Sequence, residues 1–476
     1  MATGESKAIE SFSALVAGSG GAVVARPRGD AGIESVAHDS RTASKGCLFV
    51  ALPGERTDGH EFLSEAAASG AAALLVSNAQ AARRRAQLDA LAARYGLGVV
   101  SVPDTLTGLQ NLARVRMRSL ASVTRVGVTG SNGKTTTKEI IGSLLSRHAP
   151  TAVNEGNLNS EIGLPLACFG VNPAHRYAVF EMGMNRRGEM GVLADIVRPD
   201  LALITNVGTA HIGLLGSRDA IAAEKKGIFA HFDGRQTGFL PEGEHYLAFL
   251  AEGVRGKMIV FGPGSTPGFE GSESMGLGGT LIHWEGFLIR FPLFGPHNLA
   301  NALGALSVVR ELGVPNAEIR DGLEAATPLF GRSQVIRGDV TVIADCYNAN
   351  PDSMMRALEF LETLPAEGRR IAVLGGMREL GDLTGPAHAS LGDRLRGTGL
   401  DAVLLFGAEM EHAWNAAAGG ASAPRISWTV DMEELGRRLQ AIVRSGDVVL
   451  LKGSRGLELE RLLPRLAARS NKGDRC

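Results

Sequence analysis

Cysteine, aromatic residues and long apolar runs are all scarce in this 476-residue chain. The four cysteines stand far apart at positions 47, 168, 346 and 476, in no CxxC or Cys/His pairing, which argues against a disulfide framework and a zinc site. No run approaches the roughly 18–20 apolar residues that a membrane-spanning helix needs, and the first residues show no secretory signal. We therefore expect a soluble, untargeted protein of the reducing cytoplasm.

An excess of either charge is also missing. The chain has 49 Lys plus Arg against 50 Asp plus Glu, a net charge of −1, so nothing favours nucleic acid or an anionic membrane as a partner. No GxGxxG fingerprint follows any predicted strand, and a nicotinamide cofactor is therefore unsupported. What remains is a protein that acts on a small molecule.

The length and the order of apolar segments predict an α/β protein of three domains. We place a first α/β domain at 1–100, a central domain with a mostly parallel sheet at 101–328, and a Rossmann-like domain at 329–476. Strands of the last domain are expected at 340–344, 371–374, 402–406 and 447–451. The stretch 233–295 predicts short strands and a glycine-rich bridge at 262–268, and we expect a loop-dominated surface extension there, without chemistry. A helix is expected at 104–120, with Leu106, Leu109, Leu112 and Val115 on one face.

The central feature is the run VGVTGSNGKTTT at 126–137, which predicts a buried strand, a glycine-rich turn and a helix start. Free N–H groups at such a helix start attract an anion. Lys134 is then placed to reach the terminal phosphates of a nucleotide, and the Thr135 hydroxyl to bind its Mg²⁺. The regular P-loop spacing asks for glycine where Val128 stands, so this is a P-loop variant. The alternative is a tight turn that happens to carry a lysine.

Two further predicted strands bring metal-ligand chemistry to the same edge. Glu181 ends the strand that starts at 177, and His211 follows the strand that starts at 201. Carboxyl ends of parallel strands meet at one edge of a sheet, so both side chains are expected beside the phosphates. A lone histidine is more often structural, but this pairing favours a metal role. Lys225 and Lys226, on a predicted helix at 219–229, read as solvated charges from the pattern alone.

Three polar segments admit both a functional and a local explanation. The DSR run at 39–41 could bind a nucleotide-sugar diphosphate or form a solvated turn with a local ion pair. The Asn-rich segment 154–166 could contact a substrate or cap a helix that begins near Ser160. Asn298 and Asn301 lie one helical turn apart, where they could bond an adenine edge or cap their helix.

Together these segments resemble the Mur ligases of peptidoglycan synthesis, over nearly the whole chain. The resemblance is carried by DSR (39–41), GSNGKTTTKE (130–139), NEGNLNSEIGLPL (154–166), EMGMNRRGEM (181–190), TNVGTAHI (205–212), HNLANALGA (297–305), GR (331–332), DCYNANPDSM (345–354), LGGMRELG (374–381) and KGSRG (452–456). The YNANP run is similar to that of the dipeptide-adding member. Gly376 stands where the family usually has an acid, and the loop 262–280 has no clear counterpart.

The resemblance implies an ATP-dependent ligase that joins D-Ala-D-Ala to UDP-N-acetylmuramoyl-tripeptide through an acyl phosphate, in the last cytoplasmic step of precursor synthesis. The first domain is expected to hold the UDP end, the central domain ATP and Mg²⁺, and the third to close over both. We expect a monomer. The rival interpretations are a sister ligase that adds a single amino acid, a folylpolyglutamate synthase-like ligase, a P-loop switch that forms no bond, and a structural protein without activity.

The resemblance also assigns roles to residues. Lys134, His211 and Lys225 are expected to be catalytic, with Thr135 and Glu181 on one Mg²⁺ and His211 on a second ion. Lys225 aligns with a lysine that carries CO₂ as a carbamate, an anionic metal ligand, and Lys226 is the alternative register. The nucleotide is assigned to Gly130, Ser131, Asn132, Gly133, Lys134, Thr135, Thr136, Asn298, Asn301, Arg332 and Asp345, the last two after domain closure. The other substrates are assigned to Asp39, Ser40, Arg41, Asn157, Asn159, Tyr347, Asn348, Asn350, Lys452 and Ser454.

Overall fold

The computed structural model describes residues 7–30, 32–54, 56–365, 368–418 and 425–467. Within them the chain builds four sheets in sequence order, and three of the four are mostly parallel with helices against them. The α/β prediction is therefore confirmed. None of the described helices combines the length and the apolar character needed to cross a bilayer.

The first sheet has the strand order β1-β5-β4-β3-β2, in which only β1 is antiparallel to its neighbour. Because β5 ends at Val102, this sheet continues past the boundary placed at residue 100. The elements are β1 (Ala22–Ala25), β2 (Ser35–Ala37), β3 (Cys47–Val50), β4 (Ala73–Ser77), β5 (Gly98–Val102), α1 (Phe12–Ser19), α2 (Leu63–Ala68), α3 (Asn78–Arg83) and α4 (Arg85–Tyr95).

Helix α5 (Thr105–Ser119) connects this sheet to the next one, as predicted, and Asp104 caps it by accepting from the Thr107 N–H at 2.7 Å. Leu109 and Leu112 are buried, but Val115 is half exposed. The prediction for Val115 was wrong because a spacing of three residues turns about 60° away from the buried face at each step.

The central sheet is entirely parallel, with the order β11-β10-β9-β6-β8-β7. Strand β6 therefore lies between β8 and β9, the strands that carry Glu181 and lead to His211. The elements are β6 (Thr124–Thr129), β7 (Thr151–Val153), β8 (Tyr177–Glu181), β9 (Leu201–Ile204), β10 (Thr237–Pro241), β11 (Lys257–Phe261), α6 (Lys134–His148), α7 (Gly163–Cys168), α8 (Glu189–Val197), α9 (Ile212–Leu215), α10 (Arg218–Lys226) and α11 (Leu247–Ala251).

The short strands predicted in the stretch 233–295 are confirmed, but loops do not dominate the stretch as we expected. After β10 and β11 it forms a three-stranded antiparallel sheet of β12 (Phe269–Ser274), β13 (Thr280–Trp284) and β14 (Phe287–Phe291). Trp284 and Phe291 are fully buried in the same core as Ile140 of α6. The Trp284 indole N–H donates to the Pro267 carbonyl at 3.0 Å, which fixes the glycine-rich bridge. Helices α12 (Pro296–Glu311) and α13 (Asn316–Glu324) follow.

The last sheet has the order β15-β16-β20-β17-β18-β19, parallel except for β15. The four predicted strands are present within one residue at each end, and β15 and β19 were not predicted. The elements are β15 (Gln334–Ile336), β16 (Thr341–Asp345), β17 (Arg370–Gly375), β18 (Ala402–Phe406), β19 (Arg425–Thr429), β20 (Val448–Lys452), α14 (Pro351–Thr363), α15 (Thr384–Leu395), α16 (Glu411–Ala417), α17 (Met432–Ile442) and α18 (Leu463–Ala467).

Candidate active site

The turn between β6 and α6 is built for close approach to a ligand. Gly133 has a φ of +82°, and a Cβ there would lie 2.3 Å from Asn301 Oδ1, so only glycine fits. Asn206 holds the other side of the turn, because its backbone and side-chain oxygens accept from the Ser131 and Asn132 N–H groups, each at 3.0 Å. The first N–H groups of α6 are left for an anion.

Lys134 lies folded back over this turn. Its Nζ donates to the Gly130 carbonyl at 2.7 Å and to the Ser131 carbonyl at 3.2 Å. Burial lowers the pKa of Lys134, and the negative charge of Glu181 opposes that effect. An ammonium held only by two neutral carbonyls at an anion-binding turn is free to exchange them for phosphate oxygens.

Thr135 and Glu181 meet as the sequence predicted. The Thr135 hydroxyl donates to Glu181 Oε2 at 2.6 Å, and Asn159 Nδ2 donates to Oε1 at 2.7 Å. Glu181 is only 3% exposed, and no cation pairs with its carboxylate among the described residues. Hydroxyl, carboxylate and amide oxygens are hard ligands, so this donor set fits Mg²⁺.

Asn154 fixes the position of Glu181, a role that was not predicted from the sequence. Its Oδ1 accepts from the Glu181 N–H at 2.8 Å, and its Nδ2 donates to the carbonyls of Glu181 and Leu158 at 3.2 and 2.8 Å. The buried ammonium of Lys138 donates to the Asn154 carbonyl at 2.7 Å. Asn154 thus joins the end of β8 to the loop that carries Asn159.

Replacing Asn154 by alanine should destabilise the protein by about 1–3 kcal/mol, because it leaves buried backbone groups of Glu181 and Leu158 unpaired. It should also raise the Mg²⁺ concentration needed for half-maximal activity, since Glu181 and Asn159 lose their common anchor. Urea unfolding and a Mg²⁺ titration measure the two effects. Asn316→Ala, at an exposed position on α13, is the control for stability. Equal unfolding free energies for Asn154→Ala and the unchanged protein would contradict this account.

His211 lies on the opposite side of β6 from Glu181 and contacts the last sheet. It takes a left-handed φ of +63° before α9, and its Nδ1 lies 2.7 Å from Glu379 Oε2. This hydrogen bond is the main cause that lowers the pKa of Glu379, and the charge of Lys134 adds to it. Glu379 itself was missed, although it stands in the LGGMRELG run that carried the resemblance.

Lys225 is not a solvated charge, and that interpretation was wrong. It is 1% exposed, and no hydrogen bond or ion pair to it is found within the described ranges. Burial lowers the pKa of Lys225 well below its usual value, and the positive charge of Lys134 lowers it further. The next residue, Lys226, donates to the Phe249 carbonyl at 2.7 Å and lies over the Phe249 ring. Lys225 and Lys226, the two candidate positions for the carbamate, therefore lie in physically different environments.

The last sheet is docked on the phosphate turn. Asn350 Nδ2 donates to Asn132 Oδ1 at 2.7 Å, while Asn350 also caps α14 through Ser353. Asp352 Oδ2 accepts from the N–H and the hydroxyl of Thr209, both at 2.8 Å. The YNANP run therefore lies against the turn that the sequence assigns to phosphate.

A cleft with a volume of 260 Å³ lies beside α6, and four of its lining residues are Thr136, Asn298, Leu329 and Arg332. The Arg332 guanidinium stacks on the Tyr347 ring at 4.2 Å from its centroid. Asn298 does not cap α12, because its Nδ2 donates to the Phe294 carbonyl at 2.9 Å and its Oδ1 accepts from Asn301 at 3.2 Å.

Several other residues assigned to the nucleotide or the substrates already have hydrogen-bond partners within the last domain. Asp345 accepts from Lys452 Nζ at 2.6 Å, and Ser454 Oγ accepts from the Arg378 N–H at 2.9 Å. Asn348 Oδ1 accepts from the next residue's N–H, and Asn157 is exposed.

The DSR turn shows the local alternative that the sequence left open. Arg41 pairs with Asp39 through two nitrogens, at 2.9 and 2.5 Å, and these hydrogen bonds lower the pKa of Asp39 to about 2. Ser40 is buried, and the Arg41 side chain is 83% exposed. A role of this turn in substrate binding stays a prediction.

Known families match the chain in three consecutive parts. The family described as the Mur ligase family, catalytic domain, matches residues 32–116. The Mur ligase middle domain matches residues 128–309, and the Mur ligase, glutamate ligase domain, matches residues 331–455.

Individual relatives match nearly end to end. The UDP-N-acetylmuramoyl-tripeptide–D-alanyl-D-alanine ligase of Treponema pallidum is 40% identical over 456 residues, which is 96% of this chain and 98% of that protein. The crystal structure of MurF from Acinetobacter baumannii superposes with a TM-score of 0.85 at 30% identity, covering 97% of this chain and 99% of that one. MurF ligase from Thermotoga maritima in complex with ADP gives a TM-score of 0.78 at 29% identity, covering 94% and 99%.

Proposed function

This chain belongs to the Mur ligase family, and we propose that it joins D-Ala-D-Ala to UDP-N-acetylmuramoyl-tripeptide with the hydrolysis of ATP to ADP and phosphate. The observation that carries the proposal is the contact between Asn350 and Asn132. Asn350 belongs to the YNANP run that is similar to the dipeptide-adding member, and Asn132 belongs to the phosphate turn. The residues that would select the dipeptide therefore lie beside those that would hold ATP. We also propose that the protein works as a monomer in the cytoplasm.

The reaction that this arrangement supports has two steps. A carboxylate oxygen of the tripeptide attacks the γ-phosphorus of ATP, and ADP leaves. The amine nitrogen of D-Ala-D-Ala then attacks the acyl carbon, the bond to phosphate breaks, and the amine proton passes to solvent. Positioning and charge neutralisation supply most of the catalysis of such transfers. Lys134 and the first N–H groups of α6 hold the phosphate oxygens so that the γ-phosphorus is aligned with the attacking carboxylate oxygen.

Mg²⁺ would be held by Thr135 and Glu181, whose oxygens already lie together, and a second ion by His211 and a carbamylated Lys225. When bound, these ions neutralise the negative charge that gathers on the transferred phosphoryl group. The chain's own contribution is to keep the ligands in place: Asn159 and Asn154 orient Glu181, and Glu379 orients the His211 ring. Adenine is assigned to the cleft beside α6, which Asn298 and Arg332 line and whose Asn298 is bonded to Asn301.

Formation of the pentapeptide nucleotide tests the proposal. The protein is incubated with UDP-N-acetylmuramoyl-tripeptide, ATP, Mg²⁺ and D-Ala-D-Ala. We expect a product whose mass is that of the tripeptide nucleotide plus that of the dipeptide minus one water, with one phosphate released per product. Parallel reactions replace the dipeptide by meso-diaminopimelate, L-lysine or glutamate.

A product with a single amino acid instead of the dipeptide would identify a sister ligase and reject this proposal. ATP hydrolysis or nucleotide binding without any product would favour the P-loop switch. A reaction without an amine is the control, because it reports phosphate release that is not coupled to bond formation.

A further inference from the structure

His388 is a histidine of α15 that has no part in the proposed reaction, and its side chain is fully buried. Its Nε2 accepts from the Met377 N–H at 2.9 Å, and its Nδ1 donates to the Thr384 carbonyl at 2.7 Å. Because a backbone N–H only donates and a carbonyl only accepts, His388 must be neutral and carry its proton on Nδ1. The ring therefore ties the loop that follows β17 to the start of α15.

The surroundings keep the ring in this neutral form. Burial is the main cause that lowers the pKa of His388, while its hydrogen bond to Thr384 and the negative charge of Glu409 oppose that effect. The nearby His412 lowers the pKa further. A protonated ring would have no lone pair for the Met377 N–H, so the buried position favours the form that holds the loop.

The loop that His388 holds carries Glu379 to the central domain. Glu379 has a φ of +64°, a left-handed conformation that a residue with a side chain keeps only where its surroundings enforce it. Its carboxylate lies 2.7 Å from His211 Nδ1, and its carbonyl accepts from the Gly213 N–H at 3.1 Å. The two backbones approach so closely that a Cβ on Gly213 would lie 2.4 Å from the Gly381 nitrogen. The loop is therefore the part of the last domain that contacts the segment of His211.

Two hydrogen bonds hold this loop from within the last domain. The Met377 N–H donates to His388, and the Arg378 N–H donates to Ser454 Oγ at 2.9 Å. These two donors directly precede Glu379 in the chain, so their acceptors fix the point from which the strained residue starts. Ser454 lies in a segment that is assigned to substrate, but His388 does not, and its effect can be measured separately.

We propose that His388 is a positioning residue for the ligase reaction, which holds the loop after β17 so that Glu379 orients the His211 ring. This inference rests on the proposed function, in which His211 holds the second ion. A histidine that binds a metal usually donates its other ring N–H to a carboxylate or a carbonyl, and loss of that partner costs about 10- to 100-fold in affinity or activity. His388 acts one step further away, so its effect should be smaller and should require Glu379.

The kinetic test is a double-mutant cycle of His388→Leu and Glu379→Ala, in which kcat for product formation is measured. Leucine is of similar size to histidine but makes neither hydrogen bond. We expect kcat to fall about 10- to 100-fold in Glu379→Ala and about 5- to 10-fold in His388→Leu. The double variant should be no slower than Glu379→Ala alone, because both changes interrupt the same contact. Losses that multiply in the double variant would overturn the proposal.

His388→Gln is the conservative variant, since its amide oxygen can accept from the Met377 N–H and its amide nitrogen can donate to the Thr384 carbonyl. It should recover kcat to within about threefold of the unchanged protein. Leu395→Ala, also fully buried but at the other end of α15, is the control for stability. It should lower the melting temperature and leave kcat unchanged. A loss of kcat in Leu395→Ala as large as that in His388→Leu would contradict a specific role of the histidine.

The ring nitrogens of His211 give a readout that does not depend on turnover. Proton–nitrogen NMR of the imidazole groups reports the hydrogen bond at Nδ1, and His211→Gln assigns the signals. We expect the His211 Nδ1 signal to shift in His388→Leu in the same direction as in Glu379→Ala, and to stay in place in Leu395→Ala. A His211 signal that does not move in His388→Leu would reject the proposal, whatever the rate of that variant. Product formation by the unchanged protein tests the proposed function separately, so the two ideas can fail independently.

Discussion

Replacing Lys134 by alanine should lower kcat/KM for ATP about 100- to 1000-fold and leave the protein folded. In the structure the Lys134 ammonium is held by two neutral carbonyls of the phosphate turn. When ATP binds, its β- and γ-phosphates would take the place of those carbonyls as charged acceptors, at a position from which water is largely excluded. Removing Lys134 would therefore mainly destabilise the transition state of phosphoryl transfer. Burial already lowers the pKa of Lys134, and its removal should therefore not reduce the melting temperature.

Phosphate release at varied ATP concentration measures this prediction. Lys226→Ala is the matched control, because Lys226 is a partly exposed lysine of the central region whose contacts are with Phe249. Activity of Lys134→Ala within tenfold of the unchanged protein would contradict the assignment. A large drop in the melting temperature would instead show that Lys134 serves mainly to hold the turn.

The phosphate turn was predictable because its chemistry is local in sequence. A buried strand, two glycines with positive φ (Gly130 and Gly133) and a lysine at the helix start lie within a dozen residues, and the helix begins at Lys134 itself. The meeting of Thr135 with Glu181 followed from one topological rule, since strands that flank β6 in a parallel sheet end at the same edge. These two facts place the core of the candidate site.

What could not be predicted depends on contacts between distant segments. Glu379 reaches His211 across 168 positions, and Asp352 reaches Thr209 across 143. No periodicity in the sequence encodes such a pair. Asn154 looked like one amide among several in its loop, and its importance follows only from its buried bonds to the end of β8.

For β13 and β14 the sequence predicted short strands but not their packing as an ordered sheet. Both alternate buried and more exposed positions, as half-buried strands do, but each has only five residues and glycines surround them. Short length and glycine content favoured a loop-dominated extension, while the burial of Trp284 and Phe291 in the core that includes Ile140 of α6 stabilises an ordered sheet. Packing between elements outweighed local propensity here.

The adjacent lysines Lys225 and Lys226 on α10 have the same predicted role from the sequence pattern but differ in burial. Lys225 is enclosed and Lys226 is not. Only a neutral amine reacts with CO₂, and burial together with the charge of Lys134 lowers the pKa of Lys225 and so favours that neutral form. The reaction forms an N–C bond, releases one proton and turns a buried amine into an anion. An anion in this place would be stabilised by Lys134, whose charge disfavours the protonated lysine.

Lys225→Ala should therefore lose about 100-fold or more of its ligase turnover and regain part of it when acetate or chloride is added at high concentration. A small anion can fill the space and supply the missing negative charge, but it is not held covalently, so recovery should be partial. Lys226→Ala should neither lose comparable activity nor respond to the anion. The measurement is phosphate release and product mass against anion concentration for all three proteins.

A readout that does not depend on activity is carbon NMR with ¹³C-labelled bicarbonate. A carbamate resonance should appear in the unchanged protein and in Lys226→Ala, and it should be missing from Lys225→Ala. Full activity of Lys225→Ala without any added anion would reject the carbamate, because the enclosed position would then need no negative group. A resonance that persists in Lys225→Ala would move the modification to another lysine. The low pKa of Lys225 would in that case reflect burial alone, and the second metal ion would depend on His211 without an anionic ligand from α10.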